Sequence, residues 1–137
     1  MNKQQKTYAL AKAAYQLAKD QIKEYEQKFI IRENVRNKDG SVPTSIWAMD
    51  EPSEEYFNNL CDKLYAEEDF KALCDAESYA SKTLRDAEER LIDFGLSLPM
   101  PEGVRNTLAE HRNDWKIHNK LLDLAFRLDT KTVKAGG

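Results

Sequence analysis

Apolar residues at Tyr8, Ala11, Tyr15, Ala18, Ile22, Tyr25 and Phe29 alternate at spacings of three and four, and neither glycine nor proline occurs in residues 1–39. That period places the whole set on one face of an α-helix, whereas a strand would scatter it over both faces. Large side chains fill one heptad position (Tyr8, Tyr15, Ile22, Phe29) and mostly smaller ones the other (Ala11, Ala18, Tyr25), which suits interdigitation with a neighbouring helix. The pattern predicts one helix over about 3–33.

Residues 34–52 break the period. Asp39-Gly40 is a turn signal, Pro43 and Pro52 punctuate the stretch, and Val35, Val42, Ile46, Trp47 and Met49 supply apolar groups. Pro52 followed by Ser53-Glu54-Glu55 suits a helix start, because the helix dipole favours negative charge there. The stripe Phe57, Leu60, Leu64 is out of phase with the next one, Phe70, Leu73, Ala80, Leu84, Ala87, Leu91, Phe94. A break near Glu67-Glu68-Asp69, with Asp69 as N-cap, therefore separates a short helix near 54–66 from a long one over about 69–94. Gly95 is expected to cap that helix, and Ser97-Leu98-Pro99-Met100-Pro101 to form a short rigid loop. A last helix over about 102–129 follows from Val104, Leu108, His111, Trp115, His118, Leu122 and Ala125, which puts both histidines on a core-facing stripe.

The expected fold is thus all-α: three long helices in an antiparallel-type bundle, plus the short helix after a long connection. One domain is expected over 1–130, with a disordered tail at 131–137. The short loop makes the last two long helices antiparallel, and the long connection is expected to return the chain so that the third helix runs parallel to the first.

Composition excludes several classes. The chain has 137 residues, 41% hydrophobic and 33% charged, too apolar for a disordered chain and too charged for a membrane one. Two cysteines without a disulfide framework, and no secretory leader pattern, point to the cytoplasm. Cys61, Cys74, His111 and His118 are spaced too widely for a zinc site, so no metal and no cofactor is expected. His111-Arg112-Asn113-Asp114 shares letters with a kinase catalytic loop, but no other kinase signature accompanies it. Glycine-rich phosphate loops and a Gly-x-Ser-x-Gly elbow are absent, so an enzyme ranks third among the readings.

Charge is uneven. Residues 1–38 carry nine Lys/Arg against four acids, whereas residues 39–70 carry nine acids and one base, Lys63. A uniformly basic nucleic-acid binder would not look like this, so a nucleic-acid-associated role through the basic faces of the first and last helices is the second reading. The first is a non-catalytic protein–protein interaction protein of adaptor, inhibitor or assembly-factor type, for which a phage or mobile-element accessory protein is one setting. Ile46, Trp47 and Met49 are its partner-binding candidates, although Trp47 is expected first to pin the connection to the bundle. Leu10, Ala14, Leu17, Leu121, Leu124 and Leu128 widen the apolar faces of the first and last helices beyond one stripe, and are candidates for a homodimer interface.

Overall fold

The computed structural model describes residues 2–114, 118–123 and 125. Its elements are α1 (Lys3–Arg32), a single 3-10 turn (Ile46–Ala48), α2 (Glu54–Ala66), α3 (Glu68–Ser97) and α4 (Glu102–Glu110), and the chain is helical again over 118–123. No strand occurs among the described residues, and no helix there is long and apolar enough to cross a membrane. Leu124, Leu128, the end of the predicted last helix and the predicted tail at 131–137 lie outside the described residues. The chain divides into two compact units, Met1–Ala13 with Ser81–Gly137, and Ala14–Ala80.

Both ends of α1 are closed by local chemistry. At its start, Gln5 N–H donates to Asn2 Oδ1 (2.8 Å) and Asn2 N–H donates to Gln5 Oε1 (3.0 Å), the reciprocal arrangement of a capping box. At its end, Asn34 turns into the left-handed region (φ 55°), Val35 N–H donates to the Ile30 carbonyl and Asn34 N–H to that of Ile31. This is a Schellman stop, and its usual apolar contact is present because Ile30 and Val35 are both fully buried.

In the unit Ala14–Ala80, Phe29, Ile30, Val35, Ile46, Leu60, Leu64 and Phe70 form the core, with Ile22, Tyr25, Met49, Phe57, Cys61 and Cys74 packed against it. Burying one such large side chain contributes roughly 1.5–3 kcal/mol. The connection folds back along α1 until Ile46 N–H reaches Glu26 Oε1 at 2.7 Å. α2 then returns to the end of α1, where Lys63 pairs with Glu33 (2.7 Å) and Glu67 accepts from Arg32 and from the Tyr25 hydroxyl, each at 2.8 Å. The excursion ends where it began, so α3 departs antiparallel to α1, with Phe70 beside Tyr25 at 5.6 Å between ring centroids. This corrects the expectation of a parallel third helix. The break falls within the expected Glu67-Glu68-Asp69, but the residue outside the helices is Glu67, held by Arg32 and Tyr25, and not Asp69, which lies inside α3.

In the other unit, Leu91, Ile92, Leu121, Leu122 and Ala125 form the core, with Tyr8, Phe94, Leu96 and Leu108 against it. α4 runs antiparallel to α3: Arg105 donates to the Leu96 and Leu98 carbonyls, and farther on Arg112 bridges Asp93 (2.7 Å) and Glu89 (2.6 Å). The continuous last helix expected over 102–129 is interrupted. A turn through His111–Asp114 reverses the chain, and His118 meets Glu88 while Ala125 meets Gly95, so this stretch runs parallel to α3. Asn113 and Asp114 favour turns over helix interiors, and reversal is what brings Leu121, Leu122 and Ala125 onto Leu91 and Ile92. Gly95 lies inside α3 rather than at its cap, where it allows this close approach.

Candidate partner-binding site

Of the three partner-binding candidates, two face inward. Ile46 is 2% exposed in the core, and Met49 packs against that core. Trp47, between them, is 71% exposed. The expectation that Trp47 pins the connection is therefore corrected: Val35 and Ile46 do so, since a one-residue step along the 3-10 turn carries the next side chain off the buried face. The Trp47 ring meets Phe57 of α2 edge-to-face at 4.9 Å, which fixes its orientation without covering it.

The backbone beneath Trp47 is held at several points. Besides the Ile46–Glu26 bond, Asp50 N–H donates to Asn37 Oδ1 (3.1 Å), and Asn37 N–H donates to the Ser41 carbonyl (2.8 Å). Gly40 takes φ 87° in the turn that these bonds close, and Asp39 accepts from both the Ser41 N–H and its hydroxyl. Those two bonds hold the Asp39 carboxyl below its ordinary pKa. Tyr56 and Val42 are also exposed on this part of the chain, as are the carboxylates of Asp50, Glu51, Glu54 and Glu55.

The remaining candidates separate. Leu10 (72% exposed), Ala14 and Leu17 (58%) face solvent on α1. Leu121 is corrected from a surface to a core residue, because the reversal at 111–114 turns it onto α3. Neither histidine lies in an apolar core: His111 is exposed at the end of α4, and His118 pairs with Glu88 at 2.6 Å.

Cys61 and Cys74 are half-buried free thiols, and burial raises the pKa of each, the opposite of what a nucleophile needs. No group of three His, Cys, Asp or Glu side chains among the described residues could hold a metal ion. Part of the basic charge is committed internally: Lys19 lies over the Tyr15 ring (4.7 Å), Lys28 pairs with Glu24, and Arg105 and Arg112 are engaged as described. A cleft is lined by Lys3, Gln4, Thr7, Ala87 and Arg90, with no carboxylate, thiol or imidazole among its described lining residues. No protein family, no curated protein and no solved structure matches this chain.

Proposed function

We propose that the protein is a non-catalytic protein–protein interaction protein, of adaptor, inhibitor or assembly-factor type, that engages its partner through Trp47. The observation carrying this reading is an indole 71% exposed between Ile46, which is in the core, and Met49, which packs against it. Exposed tryptophan is a liability unless covered, and tryptophan is among the residues most enriched at interface hot spots. A ring already held by Phe57 loses little rotamer freedom on binding, so more of its burial is retained as affinity. The two free thiols suit a reducing compartment, and the cytoplasm is its proposed location.

Affinity capture from the native host with the parent chain and with Trp47→Ala tests the reading. A partner retained by the parent and lost from a variant that still unfolds cooperatively, with its melting temperature lowered by only about 2–8 °C, is the expected result. The same captured set from both chains would remove Trp47 from the function.

A second reading, self-association through α1, is favoured by the exposure of Leu10, Ala14 and Leu17. It predicts about twice the 15.8 kDa chain mass by light scattering at micromolar concentration, reduced to the chain mass by Leu17→Glu.

A further inference from the structure

We infer that the Trp47 surface takes a basic segment of the partner, one that lays a lysine or arginine side chain on the indole. This rests on the interaction reading above and names the chemistry of its occupant. Four exposed acids follow Trp47 closely: Asp50 and Glu51 on the loop, and Glu54 and Glu55 in the first turn of α2. Glu54 lies one turn before Phe57 on α2, and Phe57 is the residue against which Trp47 rests.

Among the described residues little balances them. Lys63, the one base in residues 39–70, is committed to Glu33 at 2.7 Å, and Lys38 approaches Glu51 at 3.4 Å. Asp50, Glu54 and Glu55 have no cationic partner among the described residues. The dipole of α2 accounts for acids in its first turn, but Asp50 and Glu51 precede the cap at Ser53 and lie outside that helix.

Tryptophan is the best aromatic acceptor of a cation. The cation–π contacts among the described residues fall on Tyr8, Tyr15 and Phe29, and none falls on Trp47. Four exposed acids within eight residues of Trp47 raise the local concentration of cations on this part of the chain and repel polyanions. An apolar partner would instead have to desolvate the carboxylates without neutralising them. A basic segment alone satisfies both the ring and these acids.

The test is a titration of the full chain with a short arginine–glycine peptide, followed by the indole N–H resonance of Trp47, which Trp47→Phe assigns. The resonance is expected to move saturably, to return as salt rises to about 0.5 M, and to ignore a glutamate–glycine peptide of equal length. The combined variant Asp50→Asn/Glu54→Gln/Glu55→Gln is expected to bind about tenfold more weakly. An unmoved resonance, equal movement with the acidic peptide, or unchanged affinity in the carboxamide variant would overturn the proposal. So would movement on raising the protein concentration alone, which identifies a second copy as the occupant. If affinity capture depends on Trp47 while the basic peptide leaves its resonance unmoved, the interaction reading stands and the basic segment falls. Capture independent of Trp47 removes both.

Discussion

A Cβ added at Gly95 would lie 2.7 Å from the Cβ of Ala125, closer than two carbon atoms pack. A glycine inside a helix costs about 1 kcal/mol relative to alanine, so its presence in α3 calls for a packing reason, and Ala125 supplies one.

Gly95→Ala should therefore destabilise despite its better helix propensity. Overpacking costs about 1–3 kcal/mol against a gain of about 1, which leaves a net loss of up to about 2 kcal/mol in urea denaturation. The double variant Gly95→Ala/Ala125→Gly should show a favourable coupling energy in a mutant cycle. Stabilisation by Gly95→Ala alone would mean that the two segments do not approach so closely.

The stop of α1 makes a second prediction. Asn34 occupies the left-handed region at φ 55°, which asparagine tolerates and β-branched residues do not. Asn34→Gly should be neutral or stabilise by up to about 1 kcal/mol, and Asn34→Val should cost about 1–2 kcal/mol. Equal melting temperatures for the two variants would contradict the Schellman geometry.

Acid should weaken the unit Ala14–Ala80 through two carboxylates. The hydrogen bond from Lys63 holds Glu33 below its ordinary pKa, and the bonds from Ser41 do the same for Asp39. A carboxylate whose folded pKa is depressed contributes stability above its unfolded value, about 4.3 for Glu and 3.9 for Asp, and that contribution is lost as pH falls through the folded value. Chemical-denaturation midpoints are expected to drop below about pH 4, and Glu33→Gln should flatten part of that slope. An identical pH profile in the variant would show that the Lys63 contact does not persist in solution.

Much of this fold was legible locally, and the misreadings have both local and non-local causes. The ends of α1 and the start of α2 follow from patterns in the chain itself: a heptad stripe, Pro52 and the cap at Ser53. The break at Glu67 depends on Arg32 and Tyr25, which are distant in sequence. The reversal at His111–Asp114 had a local signal in Asn113-Asp114. It was masked because the stripe through Val104 and Leu108 continues in phase to Leu122 and Ala125, so two arms of a hairpin read as one helix. Two further signals were available and unused: Asn2 with Gln5 as a capping box, and Asn34 as a left-handed stop. In the candidate site, Ile46, Trp47 and Met49 stand out as apolar residues on a connection. Which of them turns inward depends on Glu26, twenty residues away, accepting from the Ile46 N–H.

That division of labour can be measured. Ile46 is buried against Phe29, Ile30 and Leu60, so Ile46→Ala should cost about 2–5 kcal/mol, the range for deleting a large aliphatic side chain from a core. Trp47 is larger, yet it contributes one edge-to-face contact worth about 0.5–1.5 kcal/mol and remains mostly in water. Trp47→Ala should therefore cost about 1 kcal/mol, reversing the order that side-chain size alone suggests. Phe57→Leu should remove the same ring contact and lower stability little further when combined with Trp47→Ala, because the two changes delete one shared interaction. Urea midpoints of the three single variants and the Trp47/Phe57 double variant decide the matter. A loss above about 3 kcal/mol for Trp47→Ala would place the indole in the core and leave the surface around it without an anchor.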